Sequence, residues 1–301
     1  MSDQDVIRRI LFCNSDARAQ YVCLNESLQA AMTYHHDPYP VRCLLAQLAV
    51  MAVLLADTLK ESGGVTLQIR SEGPVTRLMA ECTAQRQIRV LANCSDDTAG
   101  GRAIASLLAA GALVMTVSPQ RGQRYQTVIA LQGGSLAASF NSYFAQSEQV
   151  SSRLWLATNG ASAVGLLLQA LPPQLHREQS VRDHYWQQMI DAGNRATTDQ
   201  LLRLSPQALL AQLFPDGQYQ LFAAQPVVFG CSCSHQRISG ILAGFAASEL
   251  HEMLCERGSI DVHCQFCNQR YLFDRHDVTA LTAHQSAPQA GTAHPSGEKP
   301  L

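Results

Sequence analysis

The sequence predicts an α+β fold in three parts: an N-terminal mixed α/β core domain, a helical linker of low independent stability, and a small C-terminal module built on four cysteines. Three observations carry that prediction. Period-two and helical apolar patterns interleave from the N-terminus to Pro172-Pro173. Beyond the prolines the chain becomes rich in Gln, and its apolar stripes turn short and interrupted. The last third then gathers cysteines in two close pairs. The predicted boundaries are 1–173 for the core domain, 174–228 for the linker, 229–282 for the module and 283–301 for a disordered tail of Ala, Gln, Ser, Pro and Gly.

The elements follow in order. Ile7-Arg8-Arg9-Ile10-Leu11-Phe12 and Ala19-Gln20-Tyr21-Val22-Cys23-Leu24 read as two strands. Asn25 is an N-cap candidate for a short helix through Leu28 and Met32. Pro38-Tyr39-Pro40 breaks that helix, and residues 41–59 read as a long apolar one ended by Gly63-Gly64. Its densest apolar stretch, 44–56, is short for a bilayer and contains Gln47, so it reads as a buried helix. Residues 65–70, 75–82 and 88–92 are strand-like, and 113–117 with 125–131 form a hairpin candidate around Gly122. Residues 135–146 are amphipathic, with Leu136, Phe140, Tyr143 and Phe144 at core spacing. Strands at 154–157 and 164–171 close the domain. In the linker, Ser205 as N-cap and Pro206 at the first helical position start a helix. Gly193, Pro215 and Gly217 interrupt the stripes, and helices this short lean on a neighbour for stability.

With 301 residues, 47% hydrophobic and 15% charged, the chain can bury a substantial core. Its formal net charge of -2 provides no general pull toward nucleic acid or anionic lipid. The acidic start Met1-Ser2-Asp3-Gln4-Asp5 lacks a basic-then-apolar signal pattern, so a cytoplasmic location is expected. Ten cysteines in such a reducing compartment point to metal or redox chemistry more than to a disulfide framework.

Cys231-Ser232-Cys233 and Cys264-Gln265-Phe266-Cys267 are separated by thirty residues. Each pair makes one edge of a tetrahedron, the closed geometry that structural zinc takes with thiolates at ~2.3 Å. The predicted metal ligands are therefore Cys231, Cys233, Cys264 and Cys267, holding one zinc per chain in the reduced form. Zinc-bound sulfur is a thiolate, whereas a free thiol with a pKa of ~8.5 is mostly protonated at neutral pH. Thiolates are what peroxide and hypochlorous acid attack, so the site suits a redox role as well as a purely structural one. A thioredoxin-like reading of the C-x-x-C lacks the surrounding βαβ pattern. The other six cysteines, Cys13, Cys23, Cys43, Cys82, Cys94 and Cys255, read as buried small hydrophobes, with Cys255 also a candidate as a competing ligand or a resolving thiol. His235, His251 and His263 lie near the pairs but are surplus to a four-sulfur tetrahedron. Tyr271, Leu272 and Phe273 read as the module's small core. Residues 229–282 hold four arginines, no lysine and six acidic residues, the wrong balance for binding phosphates. No P-loop and no nucleophile–base arrangement is present, so no enzyme is expected.

The chain resembles the redox-regulated chaperone family known as the heat-shock protein of thirty-three kilodaltons. The resemblance rests on Phe229-Gly230-Cys231-Ser232-Cys233-Ser234, Val262-His263-Cys264-Gln265-Phe266-Cys267 and the following Tyr271-Leu272-Phe273. Gly122-Gln123-Arg124-Tyr125-Gln126, Tyr143-Phe144-Ala145-Gln146-Ser147-Glu148-Gln149 and the GLLLQALP run from Gly165 to Pro172 extend it into the first domain. The resemblance implies an ATP-independent holdase activated when Cys231–Cys233 and Cys264–Cys267 form local disulfides, zinc is expelled, and the module and linker unfold. It implies unfolded or oxidatively damaged client proteins as partners, met by the linker and the N-terminal domain. It also implies a homodimer when oxidised; on the charge balance above, neither nucleic acid nor membrane is expected as a partner. A structural zinc-ribbon interaction protein without redox switching is the alternative.

Overall fold

The computed structural model describes residues 3–59, 63–95, 98, 103–132, 134–147, 150–215 and 218–285. The chain divides into two compact units, Met1–Cys231 and Ser232–Leu301. The first runs β1 (Val6–Phe12), β2 (Ala17–Leu24), α1 (Glu26–Met32), α2 (Tyr39–Thr58), β3 (Gly63–Arg70), β4 (Val75–Cys82), β5 (Gln87–Cys94), α3 (Ile104–Leu107), β6 (Ala112–Pro119), β7 (Tyr125–Ala130), α4 (Leu136–Ser147), β8 (Ser152–Thr158), β9 (Ala163–Ala170), α5 (Gln179–Asn194), α6 (Thr198–Arg203), α7 (Pro206–Leu213), β10 (Tyr219–Leu221), β11 (Gln225–Pro226) and β12 (Val228–Phe229). The second holds α8 (His235–Leu242), α9 (Ala247–Arg257), β13 (Ile260–His263), β14 (Arg270–Phe273) and α10 (Arg275–Gln285). The α+β class stands.

Two sheets make the first unit. One has the order β10-β1-β2-β9-β8, with β11 also on β1; the other has the order β12-β5-β4-β3-β6-β7. Helix α2 shares one core with residues of both sheets, including Val22 and Leu24 from β2 and Val65, Leu67 and Ile69 from β3. Its stretch 44–56 is apolar but for Gln47, as a helix enclosed by protein must be. By length and composition it could cross a membrane, yet Val41, Leu44, Leu45, Leu48, Val50, Met51, Val53 and Leu54 are all buried within the fold. Each such Val or Leu contributes about 1.5–3 kcal/mol on burial, against at most ~0.7 kcal/mol of propensity per residue. Packing therefore makes this helix, and the β-branched valines are no obstacle. Leu136, Phe140 and Phe144 of α4 are buried in the same core, as the spacing predicted.

Two sequence expectations do not hold. Gly63 and Gly64 do not end α2; they open β3. Gly63 pairs with Pro119, and a Cβ there would lie 2.9 Å from Pro119 Cα and Ser118 O, so close strand contact selects the glycine. Asn25 sits at the N-cap of α1, but its side chain does not cap. The carboxylate of Asp5 does so from β1's entry, accepting the backbone N–H groups of Asn25, Glu26 and Ser27 at 2.9 Å each.

Segment 174–228 is only partly helical. Its helices α5–α7 lay Met189, Leu201, Leu209, Leu210 and Leu213 on a face of the first sheet formed by Ile10, Phe12, Tyr21, Leu166 and Leu168. Ser205 caps α7 by accepting from Ala208 N–H, with Pro206 opening the helix as expected. The segment's end is extended: β10 and β11 pair with β1, and β12 pairs in parallel with β5. The tail expected at 283–301 lies outside the described residues from 286 onward.

Candidate metal centre

Three local devices present the cysteines. Strand β12 continues the β5 edge, and Gly230 N–H still donates to Ile88 O at 3.1 Å, so Cys231 leaves the sheet at a fixed point. Cys233 precedes Ser234, whose hydroxyl caps α8 by accepting from Arg237 N–H at 3.1 Å. The antiparallel hairpin β13–β14 then places Cys264 and Cys267 at its tip. There Cys264 N–H donates to Gln269 O at 2.9 Å, and Asn268 N–H donates to Cys264 O at 2.8 Å. Asn268 takes a φ of 54°, a left-handed turn that Asn tolerates better than most residues.

The four ligand atoms of Cys231, Cys233, Cys264 and Cys267 all lie within 4.8 Å of one another. A tetrahedron with metal–sulfur bonds of ~2.3 Å has edges of ~3.8 Å, so this donor set fits zinc. Cys233 and Cys267 Sγ are 3.3 Å apart. Cys264 is buried and the other three are half-buried. His235, His251, His263 and Cys255 are absent from the cluster among the described residues. His235 instead stacks on Phe273 with ring centroids 4.3 Å apart.

Two contacts to the sulfurs went unread in the sequence. Tyr271 Oη donates to Cys233 Sγ at 3.1 Å, and this bond, with burial and the nearby sulfurs, pushes the phenol up to about 12. The ring packs on the module's core as predicted and Phe273 is fully buried, but Leu272 is 48% exposed because period-two alternation turns it outward. Arg89 Nη1 reaches Cys231 Sγ at 3.9 Å while its Nε and Nη2 go to Glu81 Oε2 at 3.2 and 2.7 Å. Burial works against that charge, but Glu81 and Cys231 outweigh it and hold the guanidinium above its ordinary value.

The remaining cysteines do not all match the buried reading. Cys82 is buried and its thiol is pushed up to about 12, chiefly by burial. Cys23, Cys43 and Cys94 are half-buried, whereas Cys13 and Cys255 are exposed. Cys13 lies just past β1, and Cys255 is on the outward side of α9, where no core reaches them.

Comparison with known proteins agrees with this architecture. The family model described as Hsp33 protein matches residues 5–274. The 33 kDa chaperonin of Pseudomonas fluorescens is 41% identical over 285 residues, covering 94% of this chain and 95% of the relative. That of Pseudomonas paraeruginosa is 40% identical over 301 residues, covering 99% and 100%. The crystal structure of the 33 kDa chaperonin of Thermotoga maritima superposes with a TM-score of 0.78 at 19% identity, covering 93% of this chain and 99% of that one. On the extent of the family match and the identity to these chaperonins, the chain belongs to the Hsp33 family.

Proposed function

We propose that the chain is a redox-regulated, ATP-independent holdase that binds unfolding or oxidatively damaged proteins and keeps them from aggregating. The observation that carries this reading is the convergence of four sulfurs from a C-x-C and a C-x-x-C within 4.8 Å. One zinc per chain, when bound, would keep Cys231, Cys233, Cys264 and Cys267 as thiolates.

Under peroxide, Cys231 with Cys233 and Cys264 with Cys267 each give up two electrons and form one S–S bond. One peroxide per bond takes up two protons and leaves as two waters. Disulfide sulfurs are no longer anionic donors, so the ligand set is lost. The tight Cys231–Cys233 ring is readily re-reduced, which suits a reversible switch. Structural zinc contributes ~10–16 kcal/mol in small modules, comparable to or above the ~5–15 kcal/mol net stability of a whole domain. Residues 229–282 therefore lose their fold with the ligand set, and helices α5–α7, marginal alone, lift from the first sheet. The face of Ile10, Phe12, Tyr21, Leu166 and Leu168 then becomes an apolar surface for clients. The oxidised chain dimerises, works in the cytoplasm, catalyses no reaction and needs neither nucleic acid nor membrane.

A structural zinc-ribbon role is the rival. The second unit has its own core, with Leu250, Phe273 and Val278 fully buried, which favours a module that stays folded. Aggregation of a heat-denatured client separates the two. Peroxide-treated, zinc-free protein should suppress aggregation and reduced protein should not; equal behaviour would leave the rival standing.

A further inference from the structure

We propose that Arg89 is a positioning residue of the four-cysteine centre, fixing Cys231 and supplying the cation that favours its thiolate, zinc-holding state. This rests on the metal reading above and deepens it. Strand register brings the two residues together. Val228 pairs with Gln87 and Phe229 with Ile88 in parallel, so the next residues of β12's run draw level with Arg89. Gly230 permits the approach: a Cβ there would stand 2.8 Å from the Gln87 side chain. Cys231 therefore emerges beside Arg89, one hundred and forty-two positions away in sequence.

Arg89 is an unusual occupant of its strand. It is 7% exposed and lies between Ile88 and Val90, both fully buried. A charge so placed must be paired. Glu81, its partner in the β4–β5 register, takes two of the guanidinium nitrogens, and the third points to Cys231 Sγ. Four thiolates around a divalent cation leave a net charge of about -2, and partly buried anions need a cation or donors close by. Arg is the side chain that keeps its charge when buried and divides its fork between two acceptors. The contact also discriminates between redox states. A thiolate at Cys231 is stabilised by the guanidinium, and a neutral disulfide sulfur is not. Groups outside the ligand set that orient and polarise it tune metal affinity in just this way.

The test is the zinc dissociation constant of the full-length reduced chain, read by competition with a chromogenic chelator, beside the urea midpoint followed by tryptophan emission. Arg89→Met removes the charge, and Glu81→Gln with Arg89→Met removes it without leaving a lone carboxylate. Both should bind zinc roughly 10- to 100-fold more weakly than the parent. Arg89→Lys should recover most of the loss. Parent-like affinity in both charge-free variants would overturn the proposal. So would a loss in Arg89→Lys as large as in Arg89→Met that tracks the urea midpoint, since Arg89 would then only hold the sheet together. A parent chain that takes up no zinc would instead defeat the metal reading itself, and the first titration shows which has failed.

Discussion

Gly193 on α5 is the position where a single methyl group should uncouple the linker. A Cβ at 193 would lie 2.4, 2.6 and 2.8 Å from Cζ2, Cη2 and Cε2 of Trp155 on β8. The indole is rigid and its Nε1–H donates to Asn194 Oδ1 at 3.0 Å, so the ring cannot yield and α5 must move outward. Overpacking of this kind costs about 1–3 kcal/mol, and weakening the Trp155–Asn194 hydrogen bond adds up to ~1 kcal/mol. Gly193 is the penultimate residue of α5, where replacing glycine with alanine returns up to ~1 kcal/mol of propensity. With central values of ~2, ~0.5 and ~1 kcal/mol for these three effects, the net is ~1.5 kcal/mol against docking of α5, or roughly tenfold in the undocked population. Reduced Gly193→Ala should therefore suppress client aggregation without oxidant, with a lower urea midpoint and red-shifted tryptophan emission. A variant that is more stable than the parent and silent when reduced would refute the reasoning, because helix propensity would have outweighed the clash.

Other outcomes follow from the same structure. Cys267→Ser removes one of four donors; zinc content should fall below one per chain, and the reduced protein should lose helical signal and suppress aggregation constitutively. Asp16 supports the start of the linker by accepting N–H groups from Gln174, Leu175 and His176 at 3.1, 2.9 and 3.2 Å. Burial raises its pKa, but these bonds and the His176 ring outweigh burial and hold the carboxyl below its ordinary value. A lowered folded pKa contributes stability above the unfolded value of ~3.9, lost as pH falls through the folded one. The parent's urea midpoint should thus exceed that of Asp16→Asn by a margin that does not fall from pH 7 to 5, and the margin should shrink below about pH 4. A margin that stays undiminished well below pH 4 would contradict the sign.

The sequence was most legible where spacing is local. The two cysteine pairs, the Ser205-Pro206 helix start, the apolar α2 and the hairpin around Gly122 all depend on neighbours within a few residues. Long-range contacts were hidden. Nothing near Asn25 indicates that Asp5 caps α1, because β1 must first pair with β2 to bring the carboxylate there. Strands β10, β11 and β12 have two or three residues each, too few for a period-two signal, and they exist because β1 and β5 offer unpaired edges. Arg89 did leave a trace, an arginine inside the apolar run Ile88-Arg89-Val90-Leu91, but only the β12–β5 register connects it to Cys231. Gly63-Gly64 misled because glycine serves helix ends and crowded strands alike.

The central claim is that loss of the four-thiolate ligand set unfolds the module and frees the linker. Its most direct test is zinc release, followed by a metallochromic dye during peroxide treatment, with far-UV circular dichroism recorded on the same full-length sample. One zinc per chain should be released in step with loss of helical signal, both reversed by reductant and zinc. Zinc retained under oxidant, or released with the helical signal intact, would contradict it.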